Sequence, residues 1–450
     1  MTARRYRMFL LFAALILLFF CIALVTASFA FLNNNRIAYG VESHGIVLSG
    51  LTPASAEEKL AAYCQKNFSG QVLSLTYNDR CWRVAAADID LQTDPAATAA
   101  EAYSIGRSGN IAVNLWQSIV TAWRGRSIRL AVTYDEARLQ NILQQIAQSV
   151  NEPSANARCE LKSNGQIERI PEKTGKNLTI NDFATVLRTN LLALNLPQSV
   201  ALPVEASAPA IRNSDLQAID SVLSSYSTHF NSGNFNRTQN IRIGAESING
   251  SLVPPEQILS FNDTAGHRVA AAGYKEAPVI IDGETVPGIG GGICQVSSTL
   301  YNAVLLANLK SVERNVHFYP SSYVPIGFDA TVADDLLDFK FQNTGKHNLY
   351  ILTEVIGDTL TIYILGNKSD RPAYQLALDS VTDKIIPPET VIHYSNDLPR
   401  GVRRIESNGS NGYIVSAYRR KLQNGQEIGR ELLHRDEYSA QDRILLVGTH

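Results

Sequence analysis

An almost unbroken apolar run from Met8 to Leu32 constrains the fold of this chain more than any other feature. As a helix rising about 1.5 Å per residue, the run is longer than the bilayer hydrocarbon core, which is about 30 Å thick. Three arginines precede it, which predicts a cytoplasmic N-terminus and an exported remainder. Small residues near positions 25–30 also allow a cleaved signal peptide, but the apolar core is long for one. We therefore predict a cytoplasmic tail at 1–7 and a single-pass membrane anchor at 8–32.

Charge and cysteine usage narrow the possible partners of the exported part. The chain has 40 basic and 42 acidic residues, so no strong electrostatic attraction to nucleic acid is expected. Among five cysteines, Cys64 and Cys81 are close in sequence, and an exported chain can keep a disulfide there. Cys294 is then left without an obvious partner. The sequence contains no CxxC or HxxxH pattern, so we expect neither a structural metal site nor a cofactor.

The order of predicted elements divides the exported chain into four parts. The succession strand, helix, hairpin occurs twice, which predicts two small α+β units at 33–125 and 126–212. A larger α+β domain follows at 213–368, beginning with a predicted helix from Ser214 to Phe230. Residues 369–450 have no helical pattern, and the Asn424–Gly425 turn predicts a hairpin in a β-rich module.

Cys294 is the strongest candidate for chemistry in the chain. It follows Gly290, Gly291 and Gly292 and precedes a predicted helix from Gln295 to Leu309, whose apolar residues share one face. Free N–H groups and the positive end of the helix dipole favour a thiolate at such a position. A thiolate beside N–H donors suits acyl transfer. The alternative is a buried cysteine that follows a flexible turn.

A cysteine nucleophile of this kind needs a base, and three histidines lie in the same predicted domain. His317 follows the predicted helix, and a returning strand would bring it back past the glycine turn. His267 lies in an upstream loop, and His347 lies in a turn where we expect it to be solvated. Asp329 is the best candidate for orienting the base, or else caps a turn. Arg314 could hold a substrate carboxylate through two hydrogen bonds, or pair with acidic neighbours at the surface.

An ordered set of motifs lies within residues 236–367. It consists of Ser260-Phe-Asn, Ala272-Gly-Tyr, Gly290-Gly-Gly-Ile-Cys-Gln-Val-Ser-Ser-Thr-Leu-Tyr-Asn-Ala, Glu313-Arg, His317, Tyr323-Val-Pro-Ile-Gly, Asp329-Ala-Thr and Asp338-Phe-Lys-Phe-Gln-Asn. This set resembles the VanW family. Upstream, residues 41–194 are similar to the peptidoglycan-binding domains that accompany VanW and some L,D-transpeptidase domains, and the C-terminal module resembles the G-five (G5) domain.

These resemblances imply an α+β multidomain protein: one N-terminal transmembrane helix, two small α+β units, an α+β VanW-like domain and a C-terminal β-rich module. Some VanW-family members are L,D-transpeptidases that use the motif cysteine. The resemblance thus implies acylation of Cys294 by a peptidoglycan stem peptide, with glycan as a further partner. We expect the substrate to contact Gly290, Gly291, Gly292, Gln295, Arg314 and Tyr323. A non-catalytic wall-binding or glycopeptide-resistance accessory protein, and a cysteine hydrolase of stem peptides, remain the alternatives.

Overall fold

The computed structural model describes residues 2–32, 34–68, 70–192, 194, 199–281 and 284–450. A helix, Thr2–Leu32, opens the chain, and its segment Tyr6–Ser28 is long and apolar enough to cross a membrane. The predicted N-terminal apolar helix is therefore confirmed, and its length fits either an anchor or a signal sequence. The chain forms two compact units, one of residues 1–154 with 174–208 and the other of residues 155–173 with 209–450.

The first unit packs short helices on small sheets around two apolar cores. Its helices begin where the sequence supplies caps: the Thr52 hydroxyl accepts from the Ser55 N–H (3.3 Å), and the Asp94 carboxylate accepts from the Ala97 N–H (2.8 Å). After the N-terminal helix, the helices are Pro53–Asn67, Ala86–Ile89 (3₁₀), Pro95–Ser104, Ile111–Arg124, Glu136–Val150 and Ile180–Leu192. The strands are Val41–Ser43, Ile46–Val47, Val72–Tyr77, Arg80–Ala85, Gln92–Asp94, Arg126–Ser127, Ala131–Thr133, Gly175–Leu178, Ser199–Ala201 and Val204–Ser207.

The hairpin assigned to the second predicted repeat lies in the other unit. Its strands, Arg158–Leu161 and Ile167–Ile170, pair antiparallel, and Cys159 is buried in a cluster with Leu216 and Tyr350. The hairpin contributes to the second unit because its apolar face is covered there rather than by the preceding helix.

The second unit is built around a helix, Ile293–Leu306, which we call the cysteine helix. Nearly all of its side chains are buried in the largest apolar core of the described chain. One antiparallel sheet has the strand order Ser221–His229, Thr359–Gly366, Leu349–Ile356, Leu252–Val253. A second sheet has the order Ile258–Ser260, Lys340–Gln342, Lys310–Glu313, and a separate hairpin joins Glu276–Ile281 to Glu284–Ile289. The remaining helices are Asn213–Leu216, Phe235–Ile248, Phe261–Ala265 and the 3₁₀ turns Ala270–Ala272 and Lys368–Asp370.

The helix predicted from Ser214 to Phe230 is wrong. Only Asn213–Leu216 is helical, and Ser221–His229 is a strand that pairs antiparallel with Thr359–Gly366. This segment is rich in serine, which has little helix propensity. Pairing with a long neighbouring strand therefore decides its conformation, a contact that local periodicity does not report.

The C-terminal segment forms two three-stranded sheets, as expected for a β-rich module. The first contains Gln375–Ile386, Gly412–Gln423 and Gln426–Tyr438, and the second contains Thr390–Ser395, Arg443–Gly448 and Arg403–Ser407. Asn424 and Gly425 have φ of 53° and 78°, which confirms the predicted hairpin turn. We call the strands Gly412–Gln423 and Gln426–Tyr438 the C-terminal hairpin. Its Ala417 is fully buried in the core that surrounds the cysteine helix.

Candidate active site

The glycine turn places Cys294 as the second residue of the cysteine helix. Gly292 precedes the helix with φ of 112° and supplies no capping side chain, and Gly290 has φ of 87°. A Cβ on Gly291 would lie 2.6 Å from the carbonyl oxygen of Pro278. The three glycines are thus required by backbone conformation and close packing. Since N–H groups in the first helical turn lack intrahelical acceptors, the Cys294 N–H is available to an incoming oxyanion.

His317 lies on the polypeptide that returns from the cysteine helix, and Asp329 fixes its orientation. Its Nδ1 is 2.6 Å from Asp329 Oδ2, and its backbone N–H donates to the same oxygen at 2.7 Å. Both side chains are almost fully buried. Because the carboxylate accepts from Nδ1, Nε2 is the nitrogen left to face the thiol.

The Cys294 thiol donates to the Val332 carbonyl at 3.4 Å, and the neighbouring His317 changes its acidity. Burial alone would raise the pKa of the Cys294 thiol, but His317 lowers it below its ordinary value. Burial lowers the pKa of His317, yet Asp329 and Cys294 together raise it to about 9. Burial also acts against ionisation of Asp329, but His317 and Arg314 bring the pKa of this carboxyl to about 2. These directions favour a thiolate–imidazolium pair at neutral pH.

Arg314 lies behind Asp329 and is bound to two carboxylates of the chain itself. Its Nη2 is 3.1 Å from Asp329 Oδ1, its Nε donates to the Asp329 carbonyl at 2.6 Å, and its Nη1 is 2.7 Å from both carboxylate oxygens of Asp436. Only 8% of its side chain is exposed. The guanidinium is occupied by these buried partners, so the expected role in substrate binding gives way to support of Asp329.

Gln295 and Tyr323 lie beside Cys294, His317 and Asp329. Gln295 is 1% exposed, and its amide nitrogen donates to the Thr228 hydroxyl (3.0 Å) and the His229 carbonyl (2.9 Å). Its amide oxygen accepts from Arg237 Nη2 at 2.8 Å. The Tyr323 hydroxyl is 3.4 Å from His317 Nε2, and burial raises its pKa. Gln295 therefore holds Arg237 in place, and Tyr323 flanks the histidine.

A groove of about 740 Å³ opens next to His317. Arg237, Gln295, His317 and Tyr323 line it, together with residues of the segments 229–234 and 319–322. Burial lowers the pKa of Arg237, while Tyr323 and Cys294 act to raise it. The groove gives an extended substrate access to the histidine and a guanidinium at its wall.

The other candidate residues lie outside this arrangement. His267 is exposed in its loop, whereas the ring of His347 is bound to Asp370 (Nδ1 to Oδ2, 3.1 Å) rather than only to solvent. Cys64 and Cys81 are free thiols, so the disulfide considered for them is not formed. Within the described ranges, no group of three or more His, Cys, Asp or Glu side chains is arranged to hold a metal ion.

Three residues that contact the candidate site residues could not be identified from the sequence. Arg237 lies in Asn236-Arg-Thr, whose pattern suggests only a glycosylation acceptor. Tyr438 reaches Asp329 from 109 residues away, and Asp436 reaches Arg314 from 122 residues away. Contacts across such separations depend on how the C-terminal hairpin docks, which local patterns cannot report.

Family models match three segments in the predicted order. They are "Putative peptidoglycan binding domain" at residues 82–196, "VanW like protein" at 236–365 and "G5 domain" at 379–450. Two solved structures of G5 domains also match: that of HP0197 (26% identity, 17% of this chain, 100% of that chain, TM-score 0.13) and that of an IgA1 protease (25% identity, 17% of this chain, 94% of that chain, TM-score 0.14).

Two curated proteins are similar to this chain. The uncharacterized protein YoaR of Bacillus subtilis (strain 168) is 35% identical over 234 residues, which is 52% of this chain and 76% of YoaR. The vancomycin B-type resistance protein VanW of Enterococcus faecalis is 25% identical over 151 residues, which is 32% of this chain and 55% of that protein. With YoaR covered over three quarters of its length and the three modules in order, the chain belongs to the VanW-like protein family.

Proposed function

We propose that this protein is a membrane-anchored, extracytoplasmic cysteine acyltransferase that cross-links peptidoglycan stem peptides as an L,D-transpeptidase. The observation that carries the proposal is the series Cys294, His317, Asp329, in which a thiol at a helix start faces a histidine held by a buried carboxylate. The peptidoglycan-binding and G5 modules supply the context of the cell wall.

In the first half-reaction, the Cys294 thiolate attacks the carbonyl carbon that precedes the terminal D-Ala of a tetrapeptide stem. The Cys294 N–H at the helix start donates to the developing oxyanion. The carbon–sulfur bond forms, the carbon–nitrogen bond breaks, and His317 Nε2 gives its proton to the departing D-Ala amine. The product is a thioester on Cys294 with a neutral His317.

In the second half-reaction, the amine of another stem attacks the thioester. His317 takes the proton of that amine, the carbon–sulfur bond breaks, and Cys294 leaves as a thiolate beside the restored imidazolium. Asp329 keeps its charge throughout, and its bond to Nδ1 holds Nε2 towards the sulfur. A water molecule in place of the amine would give hydrolysis.

Arg237 is our candidate for substrate recognition in the groove. One guanidinium nitrogen is held by Gln295, and among the described residues no Asp or Glu is one of the groups that shift the pKa of Arg237. A half-buried guanidinium of this kind favours a carboxylate, which a stem peptide carries at its terminus. Arg237→Gln should therefore raise KM for a stem peptide more than it lowers kcat.

The test is the intact mass of the full-length chain in detergent after incubation with a tetrapeptide muropeptide, alongside Cys294→Ser. An adduct with release of D-Ala, and cross-linked product, in the wild type alone would support the proposal. An adduct resolved only by water would indicate the hydrolase. Binding of the muropeptide without adduct or product would indicate a wall-binding accessory protein.

Membrane orientation is a separate part of the proposal. The arginines before the apolar helix favour a cytoplasmic N-terminus, with residues 33–450 outside. External protease should then degrade the C-terminal part in intact protoplasts, and residues 33–450 should remain in the membrane fraction. Their release into the medium would instead show signal cleavage.

A further inference from the structure

We propose that the C-terminal G5 module forms part of the active site, with Tyr438 and Asp436 acting as positioning residues for Asp329. This inference rests on the proposed function, because it assigns to Asp329 the orientation of a catalytic histidine. Both residues lie inside the segment that matches the G5 family, outside the VanW-like segment. The module thus has a role beyond attachment to the cell wall.

Tyr438 makes the shorter of the two connections. Its hydroxyl donates to Asp329 Oδ1 at 2.5 Å and accepts from the Gly327 N–H at 2.9 Å. The Tyr438 side chain is fully buried, so water cannot replace it. Tyr438 and Arg314 hold Oδ1 of Asp329. The other carboxylate oxygen, Oδ2, accepts from the backbone N–H of His317 and from its ring nitrogen Nδ1.

Asp436 acts on Asp329 through Arg314. Its two carboxylate oxygens lie 2.7 Å from Arg314 Nη1, and its side chain is 6% exposed. Without Asp436, Arg314 would have only Asp329 as an anionic partner and would be free to rotate. The buried pair therefore sets the angle at which the guanidinium meets Asp329.

Other contacts fix the module on the cysteine helix itself. Arg419, 8% exposed, donates to the carbonyls of Leu305 and Leu309 (3.3 Å each) at the C-terminal end of that helix. A positive charge at a helix C-terminus is favourable. The Tyr301 hydroxyl meets His434 Nε2 at 2.8 Å. The C-terminal hairpin is therefore held at a fixed distance from Asp329 by contacts along the cysteine helix.

The experiment compares Tyr438→Phe and Asp436→Asn with the wild type in the full-length chain. Tyr413→Phe is the matched control, because Tyr413 pairs with Tyr438 across the hairpin but makes no side-chain hydrogen bond in the described structure. The first readout is the rate of Cys294 alkylation by iodoacetamide across pH. The second is the NMR resonance of the His317 Nδ1 proton, which reports its bond to Asp329.

We expect Tyr438→Phe to slow alkylation at neutral pH by about 10-fold, the value of one hydrogen bond to a charged group. We also expect it to shift or remove the Nδ1 resonance. Asp436→Asn should act in the same direction, and Tyr413→Phe should leave both readouts unchanged. Wild-type values in both Tyr438→Phe and Asp436→Asn would overturn the inference. Unfolding of both would also overturn it, since the contacts would then serve stability alone.

The two proposals fail in different ways. If wild-type Cys294 is activated and Tyr438→Phe reduces that activation, but no muropeptide product forms, the transpeptidase assignment fails and the role of the module stands. If product forms at wild-type rate in both variants, the module is not needed to position Asp329, and the transpeptidase assignment stands.

Discussion

Replacing Asp329 with asparagine should uncouple the histidine from the cysteine. The rise in the pKa of His317 from 6.5 to about 9 corresponds to about 3 kcal/mol, and the fall in the pKa of Asp329 from 3.8 to about 2 corresponds to about 2 kcal/mol. Cys294 contributes to the rise at His317, and Arg314 contributes to the fall at Asp329, so the smaller value is an upper limit on the coupling between Asp329 and His317. It predicts that Asp329→Asn reduces the population of the thiolate–imidazolium pair by up to about 30-fold.

Iodoacetamide alkylation at pH 7, followed by peptide mapping, measures this population at Cys294. The exposed thiol of Cys81 in the same sample is an internal reference and should react at an unchanged rate. Asp370→Asn is the matched control, because Asp370 also accepts from a histidine Nδ1, that of His347, at 3.1 Å. If folded Asp329→Asn alkylates within about threefold of the wild type, a carboxylate does not activate this thiol and the reasoning above is refuted.

The same substitution has a consequence for stability in acid. The folded pKa of Asp329 lies below 3.8, so its stabilisation is present above about pH 4 and is lost as pH falls towards 2. The free energy of unfolding of the wild type should therefore contain a decrease of about 2 kcal/mol over this interval that Asp329→Asn lacks. Urea titrations at several pH values measure it, and equal slopes in the two proteins would contradict it.

Three further outcomes are expected. Cys294→Ser should lower the pKa of His317 in an NMR titration, because the cysteine contributes to raising it, and an unchanged value would separate the two groups. Turnover should decrease above about pH 9, where His317 loses the proton that the leaving amine needs, and a flat alkaline profile would exclude it as the acid. Gly291→Ala should reduce the free energy of unfolding by about 1–3 kcal/mol, since its Cβ would meet the Pro278 carbonyl. Gly429→Ala, whose Cβ would lie 3.9 Å from Lys421 Cδ, should change it by less than about 1 kcal/mol.

Local sequence signals were sufficient to predict that Cys294 lies near the start of a helix, with His317 and Asp329 as its candidate partners. The glycine turn and the apolar face after it predicted a helix beginning near Cys294, and the helix begins at Ile293. His317 and Asp329 follow within one returning segment, so short-range connectivity brings them together. The hairpin turn at Asn424–Gly425 was also predictable from the sequence, because few residue pairs adopt positive φ at two successive positions, and Asn-Gly is one of them.

The sequence failed where contacts between distant segments decide the structure. Ser221–His229 is a strand because Thr359–Gly366 lies beside it, more than a hundred residues later. Arg314 was expected either to hold a substrate carboxylate or to pair with acidic neighbours at the surface, but it is buried against Asp436 of the C-terminal hairpin. Hydrogen bonds between residues so far apart in sequence leave neither a periodic pattern nor a local motif from which they could be predicted.

The phenol of Tyr438 inside the VanW-like core has a consequence for how such genes recombine. A module that only tethers could be exchanged for another wall-binding domain without effect on chemistry. Here an exchange would remove both Tyr438, which donates to Asp329, and Asp436, which pairs with Arg314. The VanW-like segment and its C-terminal neighbour should therefore be inherited together, and lineages with other modules would need substitutes for both side chains.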